Sequence, residues 1–161
     1  MSIETHLLYI DSINRNVQSY PNVNNFYIEL DDNFKNIERI ELVSMSLPVN
    51  SNAIYAQGSL LVQLQPVNLN RVKVSKNSNV VKSAFVVFPK LENASNSFAV
   101  VDTPQSIDFP SPQNIMRRFG LGFYKSDGTL YSFGESAGDL TILNNVKALF
   151  KIVCKTEVES K

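Results

Sequence analysis

The feature that most constrains this chain is a recurring pattern. Short runs of β-branched and aromatic residues are broken every few positions by Asn, Ser, Pro or Gly. Such spacing predicts an antiparallel sandwich or barrel, because each run is long enough for one strand and each interruption supplies turn chemistry. Phe26-Tyr27-Ile28-Glu29-Leu30 is the clearest case: Phe26, Ile28 and Leu30 share one face, Tyr27 and Glu29 the other. That period of two is what a half-buried strand demands. Further strands are expected at residues 6–11, 37–47, 60–64, 72–74, 80–81, 84–88, 106–109, 129–133, 140–142 and 146–156. Pro48, Pro66 and Pro89 close three of them, since proline cannot donate to a ladder.

One segment departs from the pattern. Ser111 can cap a helix, Pro112 suits its first position and Gly120 can stop it, so a short helix is expected over residues 111–120. Ile115, Met116 and Phe119 would then share one face. With no internal repeat and no linker, the 161 residues read as one domain. The fold class expected is therefore all-β, a single sandwich of about eight antiparallel strands with one short helix late in the chain.

Charge narrows the partners. Fifteen basic and fifteen acidic side chains cancel, which argues against a dedicated nucleic-acid binder. Along the chain the balance is uneven. Residues 1–41 carry seven acids and three bases, whereas residues 42–91 carry Arg71, Lys73, Lys76, Lys82 and Lys90 and no acid. The basic stretch reads either as a solvated hairpin or as a positive edge that meets an acidic edge on a neighbouring copy. No apolar run approaches the ~20 residues of a membrane helix, and the first residues lack the pattern of a secretory signal. One cysteine excludes an intrachain disulfide and fits a reducing compartment.

Catalytic equipment is sparse. His6 is the single histidine, so triad chemistry would have to run through it. Cys154 alternates with Ile152, Phe150 and Ala148 and reads as a buried, inert thiol. One His and one Cys do not make a zinc site. The six glycines form no phosphate-binding loop. Asp31-Asp32 reads as a polar turn, and the oxygen donors of residues 11–16 lack the glycine and distal glutamate of a calcium loop. No cofactor and no metal are expected, and no enzymatic activity. Some strands are apolar on both faces, notably residues 84–88 and 148–153. Such a strand either lies beneath another part of the chain or meets a second subunit. The interface candidates are accordingly Arg71, Lys73, Lys76, Lys82, Phe85, Val87, Leu149 and Val153.

The N-terminal quarter carries a further signal. Leu8-Tyr9-Ile10-Asp11-Ser12, Asn14-Arg15-Asn16, Tyr20-Pro21-Asn22, Asn25-Phe26 and the run from Ile37 to Pro48 together resemble the opening of small jelly-roll penton and minor capsid proteins of large double-stranded DNA viruses and their virophages. Ile13, Asn14 and Val23 depart from that family's usual residues. The resemblance implies a single jelly roll, assembled as a homopentamer at the vertex of a capsid, with neighbouring major capsid proteins as partners. It also implies a virion location after synthesis in the host cytoplasm. A minor capsid protein that cements larger capsomers is the near alternative. A ligand- or glycan-binding β-sandwich is the alternative from another class, weakened by the absence of Trp. A cupin-type enzyme ranks last for want of histidines.

Overall fold

A computed structural model of the chain describes residues 2–48, 59–65, 71–73, 80–82, 84–88, 90–91, 99–100, 105–133 and 145–156. Ten strands fall within them: β1 (Ser2–Asp11), β2 (Asn25–Leu47), β3 (Leu60–Gln65), β4 (Arg71–Lys73), β5 (Val80–Lys82), β6 (Ala84–Val87), β7 (Lys90–Leu91), β8 (Ala99–Val100), β9 (Gln105–Tyr124) and β10 (Lys147–Thr156). A 3-10 turn, Ser12–Asn14, follows β1. The main path of the larger sheet runs β1-β10-β2-β9-β3-β6, with β8 also on β2 and β7 on β8, while β4 and β5 pair separately. Every pairing is antiparallel.

This sheet becomes a sandwich because two of its strands are long enough to serve both layers. The later part of β2 (37–46) pairs with β10, whereas Asn25 to Glu29 pair with the end of β9. The start of β9 likewise pairs with β2, and its last residues with β3. Between the two stretches both strands turn a corner through offsetting bulges. From Glu29↔Arg118 to Phe34↔Met116, β2 advances five residues while β9 advances two. From Ile37↔Gln113 to Arg39↔Asp108 the surplus is on β9. Bulges bend and twist a strand without ending it. Asn36 supplies the left-handed backbone at the corner, with φ 53°, a conformation asparagine tolerates better than most residues.

Inward side chains of the two layers meet in one core. Ile40, Leu42, Ala148, Phe150 and Ile152 face Phe26, Val62, Leu64, Phe85, Phe119 and Leu121, all buried. The Phe119 and Phe150 rings, one from each layer, stand 4.7 Å apart at a tilt of 59°. Phe85 reaches the same ring at 6.2 Å. Each buried phenylalanine contributes roughly 1.5–3 kcal/mol by leaving water, so this aromatic seam fixes how the layers sit.

The expected all-β sandwich is what the chain adopts. The expected helix is absent: residues 111–120 are the middle of β9. Phe119, Leu121 and Phe123 alternate inward, and ladders to β2 and β3 flank them. Capping signals over ten residues amount to a weak preference, and pairing with β2 along the stretch, joined by β3 from Gly120 onward, outweighs them. Residues 26–30 and 37–47 are one bent strand rather than two. Around residues 129–133 there is a single bridge, Tyr124↔Leu130, in place of a strand. The run at 140–142 lies outside the described residues.

Candidate functional site

Three groupings of side chains bear on function. The first is internal. Arg15, 5% exposed, donates from Nη1 to the Ser12 carbonyl and to Asn145 Oδ1, both at 2.8 Å. Its Nε donates to the Tyr20 carbonyl at 2.8 Å and its Nη2 to the Pro21 carbonyl at 2.9 Å. Ser12 Oγ donates to Asn145 Oδ1 and accepts from the Val146 amide. The guanidinium therefore ties the turn after β1, the 20–21 loop and the entry to β10 into one knot. The polar residues around Asp11 serve this turn as well: Asp11 Oδ1 accepts from the Ile13 amide, and Asn16 Oδ1 from the amides of Gln18 and Ser19. Among the described residues no group of three or more His, Cys, Asp or Glu is placed to hold a metal ion.

The second grouping is on the outer face of the layer formed by early β2, late β9, β3 and β6. Tyr27 is the register partner of Gly120, and a Cβ on that glycine would sit 2.7 Å from the tyrosine ring. A Cβ on Gly122 would sit 3.0 Å from the Tyr124 ring and 3.1 Å from the Gln65 amide nitrogen. Glycine at these two strand positions costs backbone entropy, and the space it frees is filled by tyrosine. The Arg118 guanidinium lies 4.6 Å from the Tyr27 ring centre, and the Tyr20 ring 5.7 Å from it. Gln65 Nε2 donates to Gln63 Oε1 at 3.0 Å. Tyr124 also packs against Leu61, Ala84 and Val86, a small outer apolar cluster. Burial, reinforced by the neighbouring tyrosines and opposed by Arg118, raises the Tyr27 pKa. The result is a row of three half-buried tyrosines edged by a cation and two primary amides.

The third is a cleft of about 1220 Å³ at the mouth of the sandwich, between β1 and residues 28–36 of β2. Leu8, Ile28, Leu30 and Phe34, each partly buried against the core, make its floor. Glu4, Glu29, Asp31 and Asp32 stand on its rim, with Lys35 and Lys155. His6 contacts Phe34 ring to ring at 5.5 Å and lies 3.4 Å from Glu4. Cys154, 4% exposed, sits at the cleft wall, and burial pushes its thiol pKa up.

The eight interface candidates separate. Phe85 and Val87 are 1% and 0% exposed and belong to the chain's own core, so neither can meet a neighbouring subunit. The double-sided look of that strand has an internal cause, because Ala84 and Val86 pack beneath Tyr124. Leu149 and Val153 are half-buried on the outward side of β10, opposite Tyr9 and Thr5 in the β1 register. Arg71 and Lys73 lie on β4 and Lys82 on β5, with Arg71 and Lys82 as register partners. Lys76 is outside the described residues. Sequence reasoning missed Ile3, Leu7 and Tyr9, 66%, 68% and 60% exposed on the outer face of β1. It also missed the tyrosine row, whose signal was glycine at alternate strand positions.

No protein-family model matches the chain, and no curated protein does. Among solved structures it is similar to CBM32-1, a carbohydrate-binding module from a family 31 glycoside hydrolase of Clostridium perfringens. That likeness has 14% identity and a TM-score of 0.28, and covers 82% of this chain and 70% of the module. The expectation of a penton capsid subunit is corrected: the protein to which this chain is similar is a carbohydrate-binding module, not a capsid protein. No helix among the described residues is long and apolar enough to cross a membrane.

Proposed function

We propose that this chain is a non-catalytic glycan-binding β-sandwich module that holds its ligand on the tyrosine row of its outer face. The observation that carries the reading is the pairing of Gly120 and Gly122 with Tyr27 and Tyr124. A sugar presents apolar C–H patches beside hydroxyls. It is met by aromatic rings for the first and by groups that both donate and accept for the second. Tyr20, Tyr27 and Tyr124 supply rings and hydroxyls, Gln63 and Gln65 primary amides, and Arg118 a fixed fork of donors. Tyrosines lend such contact area at small cost in rotamer freedom. The rings are prepositioned: Arg15 holds the Tyr20 backbone, and the sheet holds the other two.

A glycan array tests this reading, followed by titration of any ligand found against Tyr27→Ala, Tyr124→Ala and Gly120→Ala. Selective binding is expected. Each tyrosine truncation should weaken it at least about tenfold, the loss of one buried aromatic contact of roughly 1.4 kcal/mol. Gly120→Ala should weaken it as well, because its Cβ displaces the Tyr27 ring. An array without selective binding, or affinities indifferent to these substitutions, would overturn the proposal.

A further inference from the structure

Two strands flanking the mouth cleft lack a second partner among the described residues. Strand β1 ends the sheet order, bonded to β10 alone. Residues 25–29 of β2 are bonded to β9 alone. The cleft between them has the apolar floor and acidic rim described above. On the other side of β1, Ile3, Leu7 and Tyr9 stand largely in water.

From these features we infer that the β1 edge accepts an extended segment of a partner protein in which basic and apolar residues alternate. An added strand would continue the sheet through main-chain hydrogen bonds, the mode in which an exposed edge recognises a peptide. Alternate side chains of that strand point to opposite faces. Those on the inner face meet Glu4, Asp31 and Asp32, which favour lysine or arginine. Lys155, one of the two rim bases, is already engaged with Glu38 at 3.4 Å. Residues on the outer face lie beside Ile3, Leu7 and Tyr9, where cross-strand apolar pairs favour valine, isoleucine or an aromatic. Charge thus sets which face turns inward, and therefore the register, since a slip of one residue would set bases against the apolar stripe.

The test uses the full chain and fluorescence anisotropy with a labelled peptide of alternating lysine and valine. Binding is expected at low salt. It should fall at least about tenfold when every second peptide amide is methylated, which removes ladder donors while keeping charge. It should fall by a similar factor for a glutamate–valine peptide and for Asp31→Asn/Asp32→Asn, whose exposed substitutions leave the core intact. Absence of binding, or binding insensitive to amide methylation or to the aspartate substitutions, overturns the inference. So does light scattering that shows the edge covered by a second copy of this chain. The tyrosine row is not involved, so Tyr27→Ala should bind the peptide as well as the parent does.

Discussion

The two ends of the main sheet path, β1 and β6, solve the same problem differently. Among the described residues both strands have one ladder partner on that path and no strand on the other side. At β6 the side chain of Gln105 fills the gap: its Oε1 accepts from the Val86 amide at 2.8 Å and its Nε2 donates to the Val86 carbonyl. A primary amide carries the same donor and acceptor as a peptide group, so one residue of β9 stands in for a missing strand. At β1 no such plug is present among the described residues, and the exposed face is apolar. The contrast teaches that this chain can close an edge with a single side chain, and that among the described residues β1 lacks that device. Exposed apolar edges invite pairing, which proteins ordinarily suppress.

The largest test of the contrast concerns what holds the open end in place. Arg15→Ala would strip the side-chain donors from the Tyr20 and Pro21 carbonyls and from Asn145 Oδ1, and free the turn after β1. Bonds from a buried cation are the costly ones to lose, so a destabilisation of about 3 kcal/mol is expected in urea denaturation. Arg15→Lys should recover little of it, because an ammonium cannot reproduce the planar fork.

Next in size is the plug itself. Gln105→Ala leaves the Val86 amide and carbonyl unpaired and should cost about 1–2 kcal/mol. It should also turn β6 into a second open edge, seen as concentration-dependent association in sedimentation. If Gln105→Ala remains as stable and as monodisperse as the parent, the plugged end and the open end do not differ in the way described.

Smallest is the response to alkali. Burial raises the pKa of Cys154 and of Tyr27, so the folded chain holds these protons more tightly than the unfolded one. Their contribution to stability is fully present at neutral pH. It is lost as pH rises past the ordinary thiol value, about 8.5, and then past the ordinary phenol value, about 10. Unfolding midpoints should fall in that order. Cys154→Ala should remove the first decline, and Tyr27→Phe should lessen the second, to which Tyr9, raised by burial and by Asp11, also contributes.

Much of the fold was legible because strand pattern is local. Phe26, Ile28 and Leu30 show their face in sequence, as does the alternation through Ala148, Phe150, Ile152 and Cys154. The corner was not legible. Asp31-Asp32-Asn33 has the composition of a turn, yet the strand passes through it, because the surplus residues of a bulge need not pair. Residues 111–120 misled for the complementary reason: their capping residues are local, and the β2 ladder that overrides them comes from residues far away in sequence. The tyrosine row was hidden for a third reason. Tyr20, Tyr27 and Tyr124 come from three separate segments, and nothing in one sequence brings them together. Gly120 reads in sequence as a helix stop, whereas it lies within strand β9.

The offsetting bulges of β2 and β9 also shape how the molecule comes apart. Since each strand runs through both layers, neither layer can detach while the other keeps its ladders. Core amides of the two layers, such as those of Ile40 and Leu121, should therefore exchange with deuterium at one common rate, through a single opening of the entire sandwich.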